Sequence, residues 1–469
     1  MLRNSIAIDA SVRSHDGGRT LLGGSPLRLL RLTDAGAALV ETVRATGQTP
    51  TGEAAARLLS RLFATGVAHP VPAPVASHQA DVTIVTPVLD DVEGLAAMTA
   101  AVGAVHPMIV VDDGSRDAGA IAAAAPQATI ARNEVATGPG AARNRGWRAA
   151  TSDLIAFLDA DVVPPPDWLD PLLAHFDDAT VAAVAPRVAA PAGTSVLGRY
   201  EQTQSPLDLG PELGRVQPRT RLAYVPTAAL VVRRSALEEL DGFDETMLVG
   251  EDVDFIWRLH EAGHGVRYEP RSVVHHRPRA TWRAIVEQRM AYGSAAAQLD
   301  EKHPGDVAPA EVNVYSLGAW LLPVIFGRKG AIAGAVVATG SAAALRPKLH
   351  GRVDDSTAVA IQLGGKGHFF AGRLLASATT RAWAPLAIAA SLFSRRARIA
   401  AALATIVPAA MRWRSAPTTL DPVRFVGAHI ADDLAYCAGV WKGVVTTRNP
   451  RVLLPRLSGI PGVTTKEPS

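Results

Sequence analysis

The chain has 469 residues, 48% hydrophobic and 19% charged, enough apolar material for several cores, which excludes wholesale disorder. A net charge of +3 is too mild to mark a nucleic-acid binder, and the one cysteine, Cys437, excludes an intrachain disulfide and a cysteine-built zinc site. The opening residues MLRNSIAIDASVRSHDGG lack the apolar stretch of a secretory signal, so a cytoplasmic site of action is expected.

The first segment, to about His69, reads as a small helix–strand module. Leu21 to Leu32 (LLGGSPLRLLRL) gives a turn and short strands. Thr33 is a good N-cap for a helix reaching Val43, with Leu39 and Val43 at helical spacing. Glu53 to Ala64 is a second amphipathic helix, stopped by Gly66. Val71 to Val75 (VPAPV) is an extended linker.

From Val82 to about Arg279 short β-rich runs alternate with helices. The runs are VTIVTPV (Val82–Val88), MIVVDDGS (Met108–Ser115), LIAFLDADV (Leu154–Val162) and TVAAVAPRV (Thr180–Val188). Gly94–Val105 and Asn144–Ala150 are helical between them. This is the pattern of an α/β domain whose mostly parallel sheet is buried on both faces by flanking helices. Ligands of such sheets lie at the carboxyl ends of the strands, which here carry Asp112, Asp113, Asp159 and Asp161.

From about Val312 the chain is rich in Ala, Leu and Val. Ser316–Phe326, Gly330–Leu345, Ala382–Phe393 and Ile399–Met411 are apolar, but none reaches the ~18 residues of a plain spanning helix. Helices lying in a membrane interface, marginal spans that assemble, and a soluble helical bundle all stay open. From Thr380 onward twelve basic residues stand against four acidic ones, leaving −5 for the rest. A basic end interleaved with apolar runs suits the anionic cytoplasmic leaflet of the cell membrane, and this region is expected to associate with it.

Four polar groups carry the chemistry. Asp112-Asp113-Gly114-Ser115 ends a strand with two carboxylates able to accept hydrogen bonds from a nucleoside, or simply to form a turn and cap. Asp159-Ala160-Asp161 ends another; i, i+2 spacing puts both carboxylates on one side of an extended chain, where oxygen ligands suit Mg²⁺ or Mn²⁺. Glu251, Asp252 and Asp254 cluster where a helix begins, either as caps or as a working site. Gly138-Pro139-Gly140 allows close backbone approach, and Arg143 offers a guanidinium fork for phosphate. His275 and His276, after the run Gly265–Val274, fit a metal or phosphate contact as well as a plain core or surface place.

The succession VTIVTPV, VVDDGSRD, GPGAARNRG, FLDADV, GFDE and GEDVDFIWRLHEAGH, in that order, resembles the family 2 inverting glycosyltransferases of the GT-A fold. The resemblance implies that Pro87, Asp112 and Asp113 hold the uridine. It implies that Asp159 and Asp161 hold the metal and diphosphate, Arg143 neutralising charge beside them. Asp252 is then the general base, supported by Glu251 and Asp254, and an α-linked donor gives a β product. LLGGSPLRLLRL, AHPVPAPVAS, YVPTAALVVRRSALEELDGFDETMLVGEDVDFIWRL and DDLAYCAGVWKGVV extend the likeness over nearly the whole chain, to the glycosyltransferases of the mycofactocin system. That implies transfer of β-1,4-linked glucose, from UDP-glucose, onto a peptide-derived redox cofactor precursor. A lipid-linked or cell-surface glycan acceptor is the alternative. The QxxRW motif of processive synthases is missing; Gln288-Arg289-Met290-Ala291-Tyr292-Gly293 takes a comparable place. The N-terminal module resembles the winged-helix modules that bind precursor peptides. Expected domains are 1–75 (peptide-binding-like), 80–300 (GT-A) and 301–469 (helical, apolar and basic).

Overall fold

In a computed structural model the described residues run from Ser5 to Gly459. Met1–Asn4 of the N-terminal stretch, and Lys466 and Glu467 of the basic tail, lie outside them. The chain divides into two units, Met1–Gly193 with Gln204–Pro278, and Thr194–Thr203 with Arg279–Ser469.

The first unit opens with β1 (Ser5–Ile8), a hairpin sheet of β2 (Arg13–His15), β3 (Thr20–Gly23) and β4 (Arg28–Arg31), helices α1 (Asp34–Thr46) and α2 (Glu53–Ala64), and β5 (Ala68–Val71). β5 returns antiparallel to β1. Thr33 caps α1, its hydroxyl accepting from the Gly36 amide. Leu21, Val40, Val43, Leu62 and Val67 form a core of the module's own. Among the described residues this segment thus folds as five strands and two helices around its own core.

The sheet domain follows as β6 (Val82–Val88), α3 (Val92–Val102), β7 (Met108–Asp112), α4 (Ala118–Ala124), β8 (Thr129–Arg132), α5 (Pro139–Ala149), β9 (Leu154–Leu158), β10 (Val162–Val163), α6 (Asp170–Leu173) and β11 (Val181–Ala189). The chain leaves for α7 (Val196–Gln204), then returns as β12 (Gly214–Arg215), β13 (Ala229–Arg233), α8 (Arg234–Glu239), α9 (Glu251–Glu261) and β14 (Gly265–His276). Strand order is β10-β14-β11-β13-β9-β6-β7-β8, with β12 also on β14. Ile84, Val110, Leu158 and Val184 face Leu95, Met98 and Ile121 across one core.

The sheet is mixed, where alternation alone suggested a mostly parallel one. β8, β7, β6 and β9 are parallel. β13 lies antiparallel between β9 and β11. Its first residue, Ala229, pairs with Leu158, the last of β9. The chain enters β13 from the ligand-bearing end, so it must run backwards.

The second unit holds α7, α10 (Trp282–Lys302), β15 (Glu311–Asn313), α11 (Val314–Phe326), α12 (Arg328–Ala343), α13 (Arg346–Leu349), α14 (Ser356–Arg381), α15 (Ala384–Phe393), α16 (Arg395–Ser415), α17 (Pro422–Thr447) and β16 (Arg456–Ser458). The boundary expected at 300 falls at 278, because α10 packs along α17. A Cβ on Gly293 would lie 2.1 Å from the Tyr436 carbonyl, and one on Gly439 would lie 2.1 Å from that of Met290. Glycine at both places lets the two backbones touch. Arg289 is buried there, donating to Glu201 of α7 at 2.7 Å and to Asp432 of α17 at 2.5 Å. Gln288-Arg289 thus serves the helix packing of this unit. Among the described residues no helix is long and apolar enough to cross a membrane.

Candidate active site

The carboxyl ends of β6, β7 and β9 and the start of α9 bring most of the expected residues to one side of the sheet domain. Pro87 lies beside Val111, one step before the end of β6. Asp112 is buried; it accepts from the Ser115 amide at 2.8 Å and is ion-paired to Arg132. Asp113 accepts from Asn133 Nδ2, the Thr137 amide and hydroxyl, and the Gly138 amide at 2.7–3.1 Å. The Asp113 carboxylate therefore braces the loop that leads into α5, and that of Asp112 ties the turn at Ser115 to the end of β8.

Asp159-Ala160-Asp161 is a turn between β9 and β10, not the extended chain assumed from its spacing. The Val162 amide donates to the Asp159 carbonyl at 3.1 Å, closing it. The two carboxylates still lie close enough to act on each other. Burial, with the Asp161 charge adding, holds the Asp159 carboxyl above its usual value even though Arg143 works the other way. His276, at the end of β14 opposite Val162, puts Nε2 3.3 Å from Asp161 Oδ2. His275 is exposed.

Arg143, expected to meet phosphate directly, is buried inside α5. Nη1 donates to Glu251 Oε1 at 2.7 Å and Nη2 to Asp159 Oδ1 at 2.8 Å. It spans the strand end and the helix start as a strut, its guanidinium lying 5.7 Å from the centre of the Phe243 ring.

The three acids of α9 have three different surroundings. Helix α9 starts at Glu251, after Gly250 in the left-handed region, so all three sit in the first turn. There the helix dipole favours negative charge. Glu251 is buried on Arg143. Asp254 is fully buried and bonded to Arg258 at 2.8 Å. Arg258 also donates to the carbonyls of Leu240 and Gly242, so Asp254 fastens the preceding turn. Asp252 is half-buried and, among the described residues, accepts only from the Val253 amide, through Oδ1. Burial, then the charge of Glu251, pushes its carboxyl up to about 7. A carboxylate poised near neutrality with one oxygen unengaged is what proton abstraction requires.

Sequence reasoning passed over Asn144 and Arg277. Asn144 holds the 241–245 turn through the Phe243 amide and carbonyl at 2.9 and 2.8 Å. Arg277 grips Asp91 with two bonds of 2.6 and 2.7 Å, and its amide donates to the Asp161 carbonyl. The Asn144 signal lay in GPGAARNRG, read only for its glycines and Arg143; nothing local marks Arg277.

Four carboxylates, Asp159, Asp161, Glu251 and Asp252, gather here with Arg143, whose one charge leaves them a surplus of negative charge. Two of them with an imidazole make an oxygen-and-nitrogen donor set of the kind Mn²⁺ and Mg²⁺ accept. The residues present fit such an ion in their chemistry, although Asp159, Asp161 and His276 are not all drawn within 4.8 Å of one another. Among the described residues the group of three whose ligand atoms all lie within 4.8 Å of one another is a different one, His429, Asp432 and Asp433 in the second unit. Its carboxylates are already met by Arg289, Arg381 and Thr380.

Fold and site together define a glycosyltransferase of the GT-A type. The family model described as "Glycosyl transferase family 2" matches residues 84–241. The chain is 39% identical over 466 residues to the pre-mycofactocin glycosyltransferase of Mycobacterium tuberculosis, in strains CDC 1551 and H37Rv, covering 97% of each chain. It is 22% identical over 231 residues to glycosyltransferase AglE of Haloferax volcanii, covering 46% of this chain and 73% of that one. A mannosyltransferase from Pyrobaculum calidifontis, solved with GDP-mannose and Mn²⁺, aligns over 77% of this chain and 89% of that one, with TM-score 0.39 and 16% identity. The chain belongs to glycosyl transferase family 2, in its pre-mycofactocin glycosyltransferase branch.

Proposed function

We propose that this glycosyltransferase moves a hexose, glucose in β-1,4 linkage, from UDP-glucose onto the peptide-derived precursor of the mycofactocin redox cofactor. The observation that carries the reading is Asp252, the one acid in the first turn of α9 with an oxygen that no protein group engages, beside the carboxylate-rich end of β9. Asp252 takes the proton from the acceptor hydroxyl as that oxygen attacks the anomeric carbon. The sugar–phosphate bond breaks on the opposite face and configuration inverts. Glu251 keeps Asp252 basic by charge and, through Arg143, fixes its distance from Asp159. Asp159 and Asp161, with His276, would hold a divalent ion, which when bound supplies positive charge to the leaving diphosphate. Pro87, Asp112 and Asp113 shape the nucleoside end, the two aspartates through the loops they brace.

The N-terminal module is a candidate seat for a precursor peptide. A cavity of about 350 Å³ lies between α2, β5, β12 and β14. Arg215 lines it and, among the described residues, meets no carboxylate and donates only to the Ala64 carbonyl. A lipid-linked or cell-surface glycan acceptor is the second reading, favoured by the exposed apolar helices of the second unit; a product that partitions into organic solvent would support it.

The test is incubation of the purified chain with the cofactor precursor and either UDP-glucose or GDP-mannose, followed by product mass. Hexose addition from UDP-glucose, abolished by EDTA and restored by Mn²⁺ or Mg²⁺, is expected. Transfer from GDP-mannose alone overturns the donor, and full activity in EDTA overturns the metal.

A further inference from the structure

We propose that the second unit seats on an anionic bilayer through α11, α12, α14, α15 and α16, which lie in one leaflet without crossing it. This goes beyond the reaction and does not depend on its donor or acceptor. Large apolar side chains stand in solvent on all five helices, among them Phe326, Val336, Phe370, Leu392, Phe393 and Leu403. Phe393 is 90% exposed and Leu392 is 72% exposed. These helices pack on one another, α11 on α12, α12 on α14, and α14 and α15 on α16. Their inner sides are thus satisfied while their outer sides are not. A surface this apolar on a soluble chain marks a contact with lipid or protein.

Length and charge choose between these. At about 1.5 Å per residue, α11, α12 and α15 reach roughly 20, 24 and 15 Å, short of the ~30 Å hydrocarbon core, and α14 and α16, though long enough, are not apolar enough to cross it. They suit burial along the interface rather than across it. Between Val314 and Leu420 there are thirteen Lys and Arg and only two acids, Asp354 and Asp355. Several cations sit where the helix dipole opposes them: Arg328 and Lys329 open α12, and Arg395, Arg396 and Arg398 open α16. For Arg328, Lys329, Arg395 and Arg398 such placement gains nothing from the dipole and presents cations to an external anion. Arg396 Nη1 donates to the Ile325 carbonyl at 2.7 Å, tying the α15–α16 elbow to the α11–α12 elbow. Each elbow thus carries an exposed phenylalanine beside basic residues, the pairing that sinks a ring below phosphates while cations meet them.

Flotation of the full chain with phosphatidylcholine vesicles, and with equimolar phosphatidylcholine–phosphatidylglycerol vesicles, tests this. Wild type should float with the anionic vesicles and stay bound in about 0.5 M NaCl, where screening removes the charge contribution but not apolar burial. Leu392→Asp/Phe393→Asp should lower the bound fraction about tenfold or more. Arg395→Glu/Arg398→Glu should weaken binding at low salt. Sugar transfer by the Leu392→Asp/Phe393→Asp variant should match wild type, which excludes misfolding. Wild type remaining unbound, or the aspartate variant floating like wild type, overturns the proposal. So does a homodimer in light scattering that the aspartate pair dissociates, since the face would then be covered by a second copy.

Discussion

A carboxylate half-buried beside a buried glutamate costs the fold something, and Asp252 is such a group. Its pKa rises from 3.8 to about 7 on folding. The native state then holds the proton more tightly than the unfolded chain. The penalty is absent below about pH 4, grows as pH rises, and is complete above about pH 7. Asp252→Asn removes it while keeping an oxygen for the Val253 amide. Denaturant unfolding should therefore show the variant more stable than wild type at pH 8, with no difference near pH 4. Equal stability at both values would mean that Asp252 is solvated. The neighbouring acids predict no such gain, because Glu251 and Asp254 each have a guanidinium. Three acids within four positions looked alike in sequence. Only their partners, Arg143 from 108 residues away and Arg258 from the next helical turn, separate base from brace.

Elements with strong local signals were legible and those shaped by distant contacts were not. β6 and α2 match their sequence reading end to end, since Val82–Val88 is a run rich in β-branched residues and Glu53–Ala64 has one apolar face. Edge strand β8 (TIAR) is too exposed to show as an apolar run. Helix α14 runs through Gly364, Gly365 and Gly367, residues that weaken a helix locally. A Cβ on Gly364 would lie 2.6 Å from that of Ala342, so packing between helices explains this one. The Gln288-Arg289 segment was read for what it lacks beside a processive motif. Its place is the seam of α7, α10 and α17, with Arg289 between the buried Glu201 and the partly buried Asp432. Arg289→Met should leave Glu201 and Asp432 buried without their shared cation and cost about 3–5 kcal/mol in denaturant unfolding. A loss under about 1 kcal/mol would show that the carboxylates find other partners.

At the scale of the molecule, the order of acidic motifs along the sheet made the class of enzyme legible, since each ends a strand or starts a helix at one side of the domain. The mixed half of the sheet was not legible, because strand direction depends on where the chain re-enters, and that is decided by the excursion through α7. The split at 278 was hidden for a similar reason: α10 looks like a continuation of the sheet domain until α17, some 140 residues later, packs on it. The central claim is that this assembly transfers a sugar with Asp252 as base. It is tested by comparing wild type and Asp252→Asn in donor binding by calorimetry and in hexose transfer by mass spectrometry. Donor affinity close to wild type with turnover lowered by about 10²–10⁴ is the expected result. Transfer at the wild-type rate by Asp252→Asn would contradict it.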